Sequence, residues 1–149
     1  MTKNFIQNVS LAAIKSGNHV DPGENSMLIQ IVDPGYEFPV PKHTFREVHQ
    51  FEFLDLESSG LTNNGSGEYE DMREFAITQD IAHELVNLLL HAYDQEMNVI
   101  VHCVAGRCRS GSVCEVGTMI GFDDVPGTIR QPNVLVKTLM MKSLGWSYE

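Results

Sequence analysis

Apolar residues along the chain fall into short runs and helical stripes, which indicate strands that alternate with helices. The segments Ser26–Val32 and Val48–Leu56 have the composition of strands, and Met97–Cys103 indicates a buried central strand. Alternation of strands and helices favours a parallel sheet that is covered on both faces. We therefore predict an α/β fold with a mostly parallel central sheet flanked by helices on both faces.

Three segments have the periodicity of helices. Residues 78–93 place their apolar side chains on one stripe, and Thr78 stands where it can cap the helix. A second helix is predicted after Cys103, where apolar or small residues recur at positions 113, 116, 117 and 120. The last helix is predicted to open with Pro132 and to stop at Gly145.

Two loop-rich segments separate these elements. Asp33–Thr44 contains three prolines, and Glu57–Glu74 is rich in glycine. In parallel α/β folds, functional sites form on loops of this kind, where the strands end.

The length of the chain is that of one globular domain, which we take to span residues 1–149. Its contents of 42% hydrophobic and 20% charged residues are ordinary for such a domain. The first residues lack the apolar core of a signal peptide, and no segment approaches membrane length. The three cysteines have no disulfide-framework spacing, so we expect free thiols and a cytoplasmic location.

The formal net charge of −10 argues against a nucleic acid or an anionic membrane surface as a partner, since either would require a basic face. Any anion must therefore be bound locally by a few residues. The sequence leaves the oligomeric state open.

The stretch HCVAGRCRSG, residues 102–111, combines a thiol with a guanidinium at a predicted junction of strand and helix. Cys103 ends the strand and Arg109 begins the helix, so the peptide groups between them curl into a tight loop. The N–H groups of such a loop and the positive end of the helix bind phosphate oxygens, and Arg109 adds a bidentate fork. The positive electrostatic potential of these groups also favours the thiolate form of Cys103, and a thiolate beneath a bound phosphorus is a nucleophile.

The pattern His-Cys-x5-Arg-Ser in this stretch resembles the signature of the cysteine-dependent protein tyrosine and dual-specificity phosphatases, in particular their compact bacterial and phage members. A coarser resemblance covers residues 26–144 through the segments IVDPG, FEFLDL and PNVLVKTL. The resemblance implies a tyrosine-phosphatase-like fold with a phosphate-binding loop between a central strand and a helix. It further implies an enzyme without a cofactor that hydrolyses phosphotyrosine in proteins through a cysteinyl-phosphate intermediate, with phosphoserine and phosphothreonine as further candidate substrates.

The resemblance also implies a role for each position of the signature. Cys103 attacks phosphorus, Arg109 grips the phosphate oxygens, and Ser110 bonds to the departing thiolate. His102 orders the loop and helps to keep Cys103 ionised, and Gly106 supplies backbone freedom. The substrate-binding loop comprises Val104, Ala105, Gly106, Arg107, Cys108 and Arg109.

The general acid is left open among Asp55, Asp71 and Asp80. Asp55 is favoured because it ends FEFLD at the sheet edge where the phosphate-binding loop should lie. The spacing of Asp71 from Cys103 is nearer that of many relatives. Asp80 falls in the first turn of a predicted helix, where a carboxylate stabilises the helix dipole.

The substrate class is also open to alternatives. Arg107 adds a positive charge of the kind found in phosphoinositide phosphatases, but Val104 stands where those enzymes usually carry a second basic residue. A phosphorylated protein is therefore favoured over a phosphoinositide or another phosphomonoester. A phosphate-binding module without turnover would usually have lost one of the signature residues, and a sulfurtransferase fits the signature poorly. The histidines and cysteines lack zinc-site spacing, so no metal is predicted.

Two further cysteines lie near the signature. Cys108 has the Cys-x4-Cys-Arg-Ser spacing of low-molecular-weight tyrosine phosphatases, which makes it a candidate to trap a peroxide-oxidised Cys103 as a disulfide. The alternative for Cys108 is a small side chain packed under the loop. Cys114, on the predicted helix that follows, is expected to be a buried packing residue.

Overall fold

The computed structural model describes residues 4–55, 61–63, 69–71 and 76–145. The strands within these ranges are β1 (Phe5–Ser10), β2 (Ser26–Val32), β3 (Glu47–Glu52), β4 (Leu61–Asn63), β5 (Tyr69–Asp71), β6 (Asn98–Cys103) and β7 (Asp123–Asp124). The helices are α1 (Leu11–Ser16), α2 (Gln79–Asp94), α3 (Arg109–Ile120) and α4 (Val134–Ser143). Five strands form a parallel sheet in the order β3-β2-β6-β1-β7, and β4 and β5 form a separate antiparallel pair.

The centre of the sheet is β6, which pairs with β1 on one side and with β2 on the other. Ser10 of β1 lies opposite Cys103, and Gln30 of β2 lies opposite His102. Because these strands are parallel, the loops that follow them meet at one edge of the sheet. That edge is where the signature residues begin.

The two faces of the sheet are covered unequally. Alternate residues of β2 and β6, such as Ile29 and Val101, belong to a large apolar core that includes residues of α2, α3 and α4. The residues between them, such as Leu28 and Ile100, pack with Ile14 of α1 on the other face. The predicted α/β fold with a parallel sheet is confirmed, with three helices on one face and α1 on the other.

Several predicted boundaries are confirmed. The strand β2 spans the predicted Ser26–Val32, and each of its residues is buried. The helix α2 begins after Thr78, whose side-chain oxygen accepts a hydrogen bond from the N–H of Ile81 at 3.1 Å. Gly145, just beyond α4, has a φ of +77°, the left-handed conformation that ends many helices at glycine.

Other predicted boundaries are wrong. The strand predicted as Val48–Leu56 ends at Glu52, because Pro34 turns the neighbouring chain away after β2 and removes the partner for a longer strand. The helix predicted to open with Pro132 begins at Val134, because the side chain of Asn133 caps it by accepting from the N–H of Val136 at 3.0 Å.

Some elements were not predicted. The alternation in β1 is masked by Gln7 and Asn8, which are polar but buried. The predicted loop Glu57–Glu74 contains the strands β4 and β5, and its other residues lie outside the described part of the chain. No helix in the described ranges is long and apolar enough to cross a bilayer.

Candidate active site

The backbone from Cys103 to Arg109, here called the cysteine loop, connects the end of β6 to the first residue of α3. Gly106 in its middle has a φ of +76°, which favours glycine. A Cβ at this position would lie 2.5 Å from the carbonyl carbon of Val9, so the close approach of the loop to β1 also requires glycine. The loop is thereby held against the edge of the sheet.

The carbonyl groups of the cysteine loop bond to the surrounding protein. The Val104 carbonyl accepts from the Leu11 N–H at 3.1 Å, and the Gly106 carbonyl accepts from the Asn8 side-chain amide at 2.7 Å. The Arg107 carbonyl accepts from the Gln131 N–H at 3.0 Å, and the Cys108 carbonyl accepts from the Ser112 hydroxyl at 2.9 Å. In a trans peptide the N–H points away from the preceding carbonyl. The N–H groups of residues 105, 107, 108 and 109 are therefore directed away from these partners, as an anion-binding loop requires.

The thiol of Cys103 lies at the base of the loop and is only 2% exposed. The N–H of Gly106 donates to its Sγ at 3.3 Å, and the hydroxyl oxygen of Ser110 lies 3.3 Å from the same sulfur. Both groups can donate a hydrogen bond to a sulfur anion. Cys103, Gly106 and Ser110 are thus brought together as their predicted roles require.

The guanidinium of Arg109 is buried, with 5% of the residue exposed. Its Nη1 donates to Oδ1 of Asp33 at 2.7 Å and to the carbonyl oxygen of Phe53 at 2.8 Å. Its Nε is buried and has no hydrogen-bond partner among the described residues. One side of the guanidinium is therefore anchored, while the edge that carries Nε retains an unused donor.

His102 is fully buried, and its Nδ1 lies 3.1 Å from the carbonyl oxygen of Cys103. The pKa of His102 is lowered to about 4, mainly by burial and to a smaller extent by the nearby Arg109 charge, while the bond to the Cys103 carbonyl acts in the opposite direction. At neutral pH the ring is uncharged, so Nδ1 donates to that carbonyl. His102 can order the loop through this hydrogen bond, but it supplies no positive charge to Cys103.

Asp55 is connected to the cysteine loop through Asn133. The side-chain amide of Asn133 donates to Oδ1 of Asp55, while the backbone N–H of Asn133 donates to the carbonyl oxygen of Cys108 at 3.2 Å. Asp80 is exposed in the first turn of α2, a position that a helix dipole alone explains. Asp71 lies in β5, and its side chain is outside what the structure describes.

A groove of about 250 Å3 adjoins the cysteine loop. We call it the Val104 groove, and its lining residues are Leu11, Val32, Asp33, Tyr36, Glu37 and Val104. Tyr36 is 63% exposed and Val104 is 46% exposed, so large apolar surfaces stand open beside the buried thiol. Such a groove suits an aromatic or aliphatic group attached to an anion in the loop.

The three cysteines lie in different surroundings. Cys108 is half-buried at the end of the loop. Cys114 is fully buried on α3, its sulfur accepts from Nη1 of Arg130 at 3.0 Å, and burial raises the pKa of its thiol to about 11. The interpretation of Cys114 as a buried packing residue is confirmed.

No family model, curated protein or solved structure matches this chain. The geometry of the cysteine loop is therefore the basis for any functional assignment. Among the described residues, no three metal-ligating side chains come together.

Sequence reasoning missed three residues of the site: Asn8, Asp33 and Asn133. Asp33 directly follows a strand in the segment IVDPG, which is a position where sites form, and this signal could have identified it. Asn8 and Asn133 carry no comparable signal, because their importance depends on contacts with residues 98 and 78 positions away.

Proposed function

We propose that this protein is a phosphatase that hydrolyses phosphotyrosine in proteins through a cysteinyl-phosphate intermediate. The observation that carries the proposal is that Nε of the buried Arg109 has no hydrogen-bond partner among the described residues and lies in the same loop as the buried thiol of Cys103. A buried donor without a partner costs about 1–3 kcal/mol, a cost that a bound anion relieves. The N–H groups of residues 105, 107 and 109, which are directed away from the partners of the loop carbonyls, supply further donors for phosphate oxygens.

In the first step, the Sγ of Cys103 attacks phosphorus and forms an S–P bond. The P–O bond to the leaving group breaks, and Asp55 gives its proton to the departing oxygen. Arg109 and the N–H groups hold the three non-bridging oxygens, whose charge distribution changes in the transition state.

In the second step, a water molecule attacks phosphorus and the S–P bond breaks, which releases inorganic phosphate. The carboxylate of Asp55 takes a proton from the water, and the hydroxyl of Ser110 donates a hydrogen bond to the departing thiolate. The distance of 3.3 Å between Ser110 Oγ and Cys103 Sγ supports this role. The link from Asp55 through Asn133 to the Cys108 carbonyl supports Asp55 as the acid.

The Val104 groove supports an aromatic substrate. Apolar side chains of Leu11, Val32 and Val104 line it beside the loop, which suits the ring of phosphotyrosine better than the short side chain of phosphoserine. A phosphorylated protein is the proposed partner, because the net charge of −10 disfavours an anionic lipid surface.

Hydrolysis of para-nitrophenyl phosphate tests the proposal. We expect turnover by the wild type, and no turnover but retained phosphate binding by Cys103→Ser. Arg109→Lys should lose most of its turnover, because the point charge of lysine cannot replace the parallel N–H donors of the guanidinium. Cys114→Ala is the matched control, since it removes a buried thiol outside the loop, and it should keep wild-type turnover.

Other outcomes contradict the proposal. Phosphate binding without turnover in the wild type would indicate a binding module, and full activity in Cys103→Ser would exclude this nucleophile. In a substrate panel, we expect phosphotyrosine peptides to be hydrolysed faster than phosphoserine peptides. Preference for phosphoinositide vesicles would instead support the lipid alternative.

A further inference from the structure

We infer that Asp33 is a positioning residue that aims the guanidinium of Arg109 at a phosphate in the cysteine loop. The inference concerns anion binding directly, and its consequence for turnover rests on the proposed function. Asp33 follows β2, whereas Arg109 begins α3, so the contact joins two loops at the carboxyl edge of the sheet.

The geometry of the guanidinium carries the argument. Both acceptors of Nη1, Oδ1 of Asp33 and the carbonyl oxygen of Phe53, lie within 2.8 Å. Because the guanidinium is planar, two acceptors on one terminal nitrogen fix the plane and its rotation. The edge formed by Nε and Nη2 then faces away from Asp33, and this edge offers two parallel donors for bidentate binding of phosphate.

Asp33 is itself held in place by a tight turn. Pro34 and Gly35 occupy the central positions of the turn, Gly35 has a φ of +87°, and the N–H of Tyr36 donates to the Asp33 carbonyl at 3.1 Å. Glu52 of β3 braces the turn by accepting from the Gly35 N–H at 2.8 Å. The carboxylate is therefore preorganised before any ligand binds.

The charge of Asp33 has two opposing effects on a bound phosphate. It repels the anion, but it also neutralises a guanidinium that is only 6% exposed and would otherwise be driven toward solvent. The Asp33 side chain is 31% exposed, so water screens its repulsion, and it contacts the side of Arg109 away from the Nε edge. We therefore expect positioning to outweigh repulsion.

Calorimetric titration with inorganic phosphate tests this, with Cys103→Ser as the background so that no chemistry intervenes. Asp33→Ala removes the acceptor, and Asp33→Asn keeps an oxygen at the same place without the charge. Asp21→Ala is the matched control, because it removes an exposed carboxylate from the segment that precedes β2, whereas Asp33 follows the strand. Each variant is also combined with Arg109→Ala to form a double-mutant cycle.

We expect Asp33→Ala to weaken phosphate affinity roughly 10- to 100-fold, by analogy with the loss found when groups that orient a metal-ligating side chain are removed. Asp33→Asn should recover most of this loss, and Asp21→Ala should bind like the background. With Arg109→Ala present, Asp33→Ala should add no further loss. If Asp33→Ala fails to fold, Asp33→Ser, which also cannot reach Arg109, replaces it.

Equal or tighter phosphate binding by Asp33→Ala would overturn the inference, because Asp33 would then compete with the anion for Arg109. If Asp33→Ala weakened phosphate affinity by the same factor in the Arg109→Ala background, the inference would also be overturned, since Asp33 would then act on the structure of the loop rather than through Arg109. The proposed function fails separately: absent hydrolysis by the wild type, with these affinity differences intact, refutes catalysis and leaves the positioning role standing.

Discussion

Replacement of Gly106 by alanine is expected to distort the cysteine loop, because the new methyl group has no room. A Cβ there would lie 2.5 Å from the carbonyl carbon of Val9 and 2.6 Å from the backbone nitrogen of Ser10. These are backbone atoms of the packed sheet edge, which cannot rotate away as a flexible side chain can. The loop must lift from β1, which breaks the 2.7 Å bond from Asn8 and moves the N–H that bonds to Cys103.

Gly145 provides the matched control for this change. Its φ of +77° is nearly that of Gly106 at +76°, but a Cβ at Gly145 would meet no atom of the described residues within 4 Å. The left-handed conformation costs alanine about 1–2 kcal/mol at either position. Overpacking adds about 1–3 kcal/mol at Gly106 alone. The free energy of unfolding should therefore fall by about 1–2 kcal/mol in Gly145→Ala and by about 2–5 kcal/mol in Gly106→Ala.

Urea unfolding and kcat/KM for para-nitrophenyl phosphate measure the two consequences. Gly145→Ala should keep wild-type turnover, whereas Gly106→Ala should lose about 100-fold, the effect of displacing a reacting group by about 1 Å. Equal losses of stability in the two variants, or full turnover in Gly106→Ala, would refute this account of the loop.

Three further predictions concern the acid, the redox chemistry and the pH dependence. Asp55→Asn should lower kcat for aryl phosphates with poor leaving groups and much less for good ones; if Asp71→Asn shows this dependence instead, Asp55 is not the acid. Peroxide should abolish the proposed phosphatase activity reversibly, and Cys108→Ser should make the loss irreversible at the same dose. Equal recovery, with no Cys103–Cys108 linkage in peptide mass spectra, would leave Cys108 without this role. The pKa of His102 falls from 6.5 in the unfolded chain to about 4 in the folded protein. As the pH is lowered from 6.5 toward 4, His102 is therefore protonated in the unfolded chain but not in the folded protein, and the free energy of unfolding should decrease. For this one histidine, the decrease in the free energy of unfolding is about 2 kcal/mol at pH 5. Urea unfolding at several pH values should therefore show a smaller pH dependence for His102→Gln than for the wild type.

The predicted elements that are confirmed are those whose burial follows a local pattern of apolar residues or a local capping residue. The apolar residues of β2 and the Thr78 cap of α2 are fixed by neighbours in the chain, so their bounds follow from sequence. The junction of β6 and α3 was predicted for the same reason, because an apolar run ends at Cys103 and a helical period begins shortly after.

Long-range contacts set the features that sequence could not predict. Arg109 bonds to Asp33, 76 positions away, and Asn133 bonds to Asp55, 78 positions away, so no local window contains either pair. The buried amides of Gln7 and Asn8 bond to backbone carbonyls near residue 127, which hides β1 from hydrophobic periodicity. The pKa of His102 also depends on tertiary burial, which keeps its ring neutral at neutral pH, so the help that it is predicted to give in keeping Cys103 ionised must come through hydrogen bonds rather than through a ring charge.

Trapping of the proposed phosphorylated intermediate tests the central claim most directly. The protein is mixed with an aryl phosphate, quenched in acid within milliseconds, digested and analysed by mass spectrometry. We expect one phosphoryl group on the peptide that contains Cys103, a larger amount in Ser110→Ala because the thiolate departs more slowly, and none in Cys103→Ser. A phosphoryl group on another residue, or equal labelling of Cys103→Ser, would contradict the account.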